Sequence, residues 1–282
     1  MRDRFLDAER LIQHGLALRD LAAEPEPTAR QIAGRHLVPG ARLGLLAGSF
    51  NPPTIAHQTL ALAGLADGQL GAVQYALSIR TVDKEVVTGA GLEDRLLMLD
   101  ALLEDDQRLG TVVVNRGLYV DQARIVRSLF PDLGALVFLV GHDKIVQIFD
   151  PRYYEDRDAA LEALFELATF LVAPRGDDDD GSLAALLGQP ENRRFAGAVR
   201  PLALPPELRV IASSTIRGDL AAGGRLDASV PDVVAQFVEE TGAYVDDARY
   251  ARRRAVIDEA VETATRTRSA DPASLRGRLG QI

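Results

Sequence analysis

The sequence predicts an α/β protein with a doubly wound parallel sheet, and three observations predict it. Strand-length apolar runs alternate with segments of helical period from about residue 42 to 174, runs such as "ALVFLV" are unbroken, and "LGLLAGSFNPPTIAH" reads as strand, loop, helix. Strands buried on both faces give unbroken apolar runs, and their alternation with helices implies right-handed βαβ units.

Taken in order, Arg4 to Ala23 places Phe5, Leu6, Ala8, Leu11, Ile12, Leu16 and Leu18 at helical spacing, which predicts an amphipathic helix ahead of the core. "EPEPT" interrupts it, and a second short helix is expected to run to His36. From Arg42 the period changes to that of a buried strand ending at Gly48. Pro52 and Pro53 then hold an extended turn before a helix from about Thr54 to Ala66. Further strands are expected at Ala72 to Ile79, Gly110 to Asn115, "GALVFLVG" and Thr169 to Pro174, with helices at Leu92 to Asp105, Tyr119 to Phe130 and Leu161 to Ala168 between them. An extended run from Val199 leads to a helix start at the serines of "SSTIR". A short helix in "VPDVVAQFVEETGAY" and a mixed-charge helix from about Ala248 follow, and the polar stretch from Ser269 reads as a disordered tail. The expected organisation is a helical extension over 1–40, a central domain over 41–247, and a helix with polar tail over 248–282.

Composition removes several function classes. The chain of 282 residues has no cysteine, which excludes disulfides, thiolate zinc sites and a cysteine nucleophile. A net charge of −9 argues against a nucleic-acid face, though a local basic pocket for a phosphorylated metabolite fits an acidic protein. Its apolar runs are too short to span a bilayer and its first residues lack a secretory apolar core, so a cytoplasmic protein without membrane partners is expected. The acidic run "RGDDDDGS" reads as a solvated loop rather than a metal site. The only lysines are Lys84 and Lys144.

Ligands of open parallel sheets sit at the carboxyl ends of strands, where Gly48 to His57 falls. Gly48 lets backbone approach a ligand, amides at the following helix start can hold an anion, and His57 in its first turn can donate to a phosphate oxygen. "SSTIR" adds Ser213, Ser214 and Arg217 at a second helix start. Two such anion sites imply a polyphosphate. The six-residue glycine fingerprint of dinucleotide folds and the P-loop are both absent from this loop.

These residues resemble the signature of the nucleotidylyltransferase superfamily, and within it of the nicotinamide/nicotinate mononucleotide adenylyltransferases: "GSFNPPTIAH" matches the T/HxGH element, "LVGHDK" the strand-ending GxD element and "IASSTIR" the SxxxIR-type phosphate motif. The resemblance implies a Rossmann-like sheet and transfer of AMP from ATP, with Mg²⁺, to a pyridine mononucleotide. It implies that His57, Thr54 and Arg217 serve catalysis and that Gly48, Ser49, Phe50, Gly141, Asp143, Ser213 and Ser214 border ATP. Lys84, Arg95 and Tyr119 are implied near the acceptor, with no protein metal ligand; Lys84 and Arg95 read equally as surface charges. The chain departs from the pattern at Ala56, where glycine is usual, and at Ala212, where many relatives carry serine. A phosphopantetheine or alcohol-phosphate acceptor, a silent nucleotide-binding module, and oligomer contacts through the two extensions stay open.

Overall fold

The computed structural model describes residues 4–67, 69–80, 89–176, 180–226 and 228–282. Among them seven strands form one sheet: β1 (Ala29–Ala33), β2 (Arg42–Gly48), β3 (Ala72–Ser78), β4 (Leu109–Val114), β5 (Ala135–Gly141), β6 (Thr169–Ala173) and β7 (Val199–Pro201). Their order is β1-β4-β3-β2-β5-β6-β7, parallel throughout except for β1 at the edge. The order reverses between β2 and β5, so the loops after these two strands diverge and leave a crevice.

The helices α1 (Ala8–Ala23), α2 (Ile55–Asp67), α3 (Leu92–Leu103), α4 (Tyr119–Leu129), α5 (His142–Phe149), α6 (Arg157–Leu167) and α7 (Asp180–Gly188) are followed by α8 (Ser213–Ala221), α9 (Asp232–Thr241), α10 (Asp247–Thr267) and α11 (Pro272–Leu279). Leu43, Leu45 and Phe138 point to the face covered by α4 and α6, while Leu46, Tyr75 and Leu139 point to the face covered by α2 and α3. This two-sided burial is what the unbroken apolar runs encode.

A third layer lies outside α3. That helix gives Leu96, Leu99 and Leu103 to the sheet and Leu97 and Met98 to a cluster with Leu11, Phe237, Ile257 and Val261, from α1, α9 and α10. The two ends of the chain therefore share one apolar core. Inside it, Arg253 of α10 pairs with Asp94 of α3 at 2.7 Å, both side chains nearly inaccessible at 3% and 0%. Among the described residues no helix is long and apolar enough to cross a membrane.

Two sequence expectations are corrected. Residues leading to His36 form the edge strand β1 rather than a helix, because buried Asn115 accepts from the Thr28 amide and donates to the carbonyls of Glu24 and Glu26. Pairing with β4 then satisfies a segment too short to sustain a helix alone. The stretch after Ser269 is ordered as α11: Asp271 caps it, Pro272 occupies its first turn, and Leu275 and Leu279 bury one turn apart.

Replacing Arg253 with methionine leaves the Asp94 carboxylate buried without its cation and should cost about 3–5 kcal/mol in urea unfolding. Replacing both partners with apolar residues should cost less than this single change, since no charge is then stranded.

Candidate active site

The loop leaving β2 is built around its buried residues. Phe50, fully inaccessible and at φ 46, folds its ring back over Gly48, where a Cβ would stand 2.8 Å from it. Glycine is required there. The ring also meets His57 edge-on at 5.2 Å and Tyr75 at 5.3 Å, which makes Phe50 the floor beneath the histidine.

Thr54 and His57 cap α2 reciprocally. The Thr54 hydroxyl accepts from the His57 amide at 3.3 Å, and His57 Nδ1 accepts from the Thr54 amide at 3.1 Å and lies 2.8 Å from the Thr54 hydroxyl. This is a capping box with histidine in the place usually held by glutamate. An Nδ1 that accepts carries no proton, so the ring's single N–H is on Nε2. Burial, reinforced by the charge of Arg175, lowers the His57 pKa from 6.5 to about 4, and the ring is neutral at pH 7.

Asn51 joins the surrounding segments. Its side-chain oxygen accepts from the Ala90 amide at 3.0 Å and from the Tyr244 hydroxyl at 2.9 Å, and its carbonyl accepts from Arg217 at 2.6 Å. Ser213 donates to the Pro52 carbonyl at 2.8 Å, which draws the start of α8 onto the loop. Arg95 is buried behind the loop and donates from Nε to the Ala90 carbonyl and from one terminal nitrogen to the Ser49 carbonyl.

Together these segments enclose a cleft of about 280 Å³ at the strand-order reversal. Gly48, Ser49, Thr54 and His57 line one side, Gly141 and Asp143 a second, and Ser213, Ser214 and Arg217 a third. Gly141 leaves the room that Asp143 uses, since a Cβ there would lie 2.7 Å from the carboxylate. Lys144, Arg175 and Arg217 face a single carboxylate, Asp143, among the described lining residues. On a chain of net charge −9, this is a local anion site. The start of α8 strengthens it: Ala212 provides no side-chain cap, so the first amides of that helix stay available to a ligand.

Nine of the sequence-derived site residues thus converge on one cleft. Phe50 lies beneath it and Arg95 behind it. Tyr119 stacks edge-on against Phe138 at 5.1 Å in the layer beyond β5; burial, with the Asp143 charge nearby, raises its pKa. Lys84 lies outside the described residues. Arg175 and Lys144 were not singled out from sequence as site residues. The position of Arg175 just past the end of β6 was the available signal, eclipsed by the acidic run beside it. Among the described residues no cluster of histidine and carboxylate side chains could hold a metal ion.

The strand order and the cleft at its reversal define a Rossmann-like nucleotidylyltransferase fold. No family model matches the chain. A protein of Stenotrophomonas maltophilia named as a probable nicotinate-nucleotide adenylyltransferase is 31% identical over 217 residues, covering 70% of this chain and 94% of that one. One of the same name from Laribacter hongkongensis is 32% identical, with 67% and 87% covered. The solved Plasmodium falciparum nicotinic acid mononucleotide adenylyltransferase complexed with NaAD shares the fold at a TM-score of 0.53 and 15% identity, over 74% of this chain and 99% of that one. The chain belongs to the nicotinate-nucleotide adenylyltransferase family.

Because the unfolded chain protonates His57 before the folded one does, the neutral ring contributes stability that is complete above pH 6.5 and declines as pH falls toward about 4. His57→Gln preserves the cap and removes this titration. Between pH 6.5 and 4.5 the wild type should lose stability faster than the variant, by up to about 1.4 kcal/mol per pH unit in urea unfolding.

Proposed function

We propose that the protein transfers the adenylyl group of ATP to the phosphate of nicotinate or nicotinamide mononucleotide, releasing pyrophosphate. The observation that carries this reading is the neutral His57, whose Nε2–H is held in a cleft with three cations and the uncapped amides of α8. The family membership supplies the acceptor class.

In the reaction an acceptor phosphate oxygen attacks the α-phosphorus of ATP, and the bond from that phosphorus to the bridging oxygen of the leaving pyrophosphate breaks in line. The nucleophile is already an anion, so the protein needs to position and to stabilise charge rather than to move a proton. His57 donates from Nε2 to an α-phosphate oxygen as charge develops there, and Thr54 holds the ring in the tautomer that can do so. Arg217, Ser214 and the amides of α8 hold the β- and γ-phosphates, with Lys144 and Arg175, the latter bonded to the Ile211 carbonyl beside the start of α8, neutralising the triphosphate. Asp143 accepts from ribose hydroxyls. Mg²⁺ arriving with ATP would be held chiefly by the substrate, with Asp143 the one carboxylate among the described lining residues able to meet it, and would supply screening of the triphosphate charge.

The reading assigns 41–247 to the catalytic domain and 1–40 and 248–282 to extensions. It takes Lys84 and Tyr119 as bordering the acceptor, and Arg95 as shaping that side of the site through the two carbonyls it ties. A cytoplasmic enzyme without a nucleic-acid partner completes it.

Purified protein given ATP and Mg²⁺ should release pyrophosphate with a pyridine mononucleotide and not with phosphopantetheine; silence with both pyridine acceptors would sink the reading. His57→Ala should lower kcat about 10²–10³-fold, the scale for one lost oxyanion donor, with its circular dichroism spectrum retained.

A further inference from the structure

The turn Gly89–Ala90–Gly91, which leads into α3, is held from two sides. On the side of the cleft Ala90 is bound through both of its peptide groups, its amide to Asn51 and its carbonyl to Arg95. On the far side the Gly91 amide donates to the Tyr250 hydroxyl at 2.8 Å, and that hydroxyl donates to Asp94 at 2.7 Å. Tyr250 is 8% exposed and belongs to α10, in the layer formed by the chain ends.

Gly91 opens α3 with no side-chain cap of its own, and the phenol bridges its amide to Asp94, the third helical residue, the position whose side chain takes that amide directly in a capping box. A Cβ at 91 would meet the Arg254 guanidinium, which would have to move. Arg253 grips the other oxygen of Asp94 at 2.7 Å, and Arg254 pairs with Glu93 at 2.8 Å. The first turn of α3 is thus fixed from α10, and its next residue, Arg95, reaches the Ser49 carbonyl at 3.3 Å.

Resting on the adenylyl-transfer reading above, we propose that Tyr250 is a positioning residue for that reaction: it fixes Gly91 and Asp94, and through Ala90 and Arg95 it sets the backbone at Ser49 and Asn51 against His57. Removing its hydroxyl leaves the Gly91 amide and one Asp94 oxygen without this partner, and the turn is then free to shift. Of the groups placed on the triphosphate, Arg175 and Lys144 lie on elements that this turn does not touch, while α8 meets the loop only through the Asn51 and Pro52 carbonyls. Loss of the hydroxyl therefore acts first on the alignment of acceptor and α-phosphate and costs far less in ATP affinity.

The test compares wild type, Tyr250→Phe and Val261→Ala, the last a control on the same helix whose buried side chain faces Gly15 of α1, away from the turn. Hydrogen exchange is followed at residues 89–95 and 49–54, affinity with a non-hydrolysable ATP analogue, and kcat and KM with both substrates. In Tyr250→Phe exchange at both segments should rise, and kcat/KM for the mononucleotide should fall about ten-fold or more, as for a misplaced catalytic group. Analogue affinity should stay within about three-fold, a separation that uniform loss of fold does not produce. Val261→Ala should lower the melting temperature and leave both the local exchange pattern and the KM values unchanged. Wild-type exchange in Tyr250→Phe, or the same kinetic change in Val261→Ala, would overturn the proposal. Absence of turnover in the wild type would instead defeat the functional reading, and the exchange comparison would still decide whether Tyr250 holds the turn.

Discussion

The reciprocal bond between Thr54 and His57 is the constraint around which the site is arranged. It ends the loop and starts α2, and it also decides which ring nitrogen keeps its proton. A helix cap and a catalytic donor are usually separate devices; here one side chain at the third helical position serves as both. Phe50 below the ring, itself packed on Tyr75, contributes to the dry surroundings that keep it neutral. A neutral imidazole suits a cleft that already carries Lys144, Arg175 and Arg217, because a fourth cation would face their repulsion before any phosphate arrived.

Around this bond the loop is secured by partners remote in the chain. Asn51 is bound by Tyr244 and Arg217, and Pro52 by Ser213. Arg217 and Ser213 thus contact the signature loop as well as facing the cleft, which couples the phosphate-binding wall to the histidine. The third layer extends the same principle with a buried ion pair at a helix start, where either charge would be stranded if the layers separated. Asp94 and Arg253 form that pair at the start of α3.

Much of this was legible in the sequence. The alternation of apolar runs with helical periods gives the sheet, and the order of Gly48, His57, Asp143 and Arg217 along the chain gives the cleft, because each follows a strand whose carboxyl end reaches the same edge. Asn51 reads only as a turn residue, since its partners lie up to 193 positions away. Arg95 reads equally as a ligand contact and a surface charge, since nothing local reveals that it is buried and donates to the carbonyls of Ser49 and Ala90. The edge strand β1 was missed for a related reason: five residues of mixed character take their conformation from Asn115 and β4 rather than from their own period.

The neutral, Nε2-protonated state of His57 is the claim on which the mechanism turns, and ¹⁵N NMR of the imidazole nitrogens at pH 7 tests it most directly, with His57→Gln identifying the signal among the four histidines. The structure predicts a pyrrole-type Nε2 and a pyridine-type Nδ1, with the ring still largely neutral as pH is lowered to about 5 in the ligand-free protein. A proton on Nδ1, or an imidazolium already present at pH 7, would contradict it.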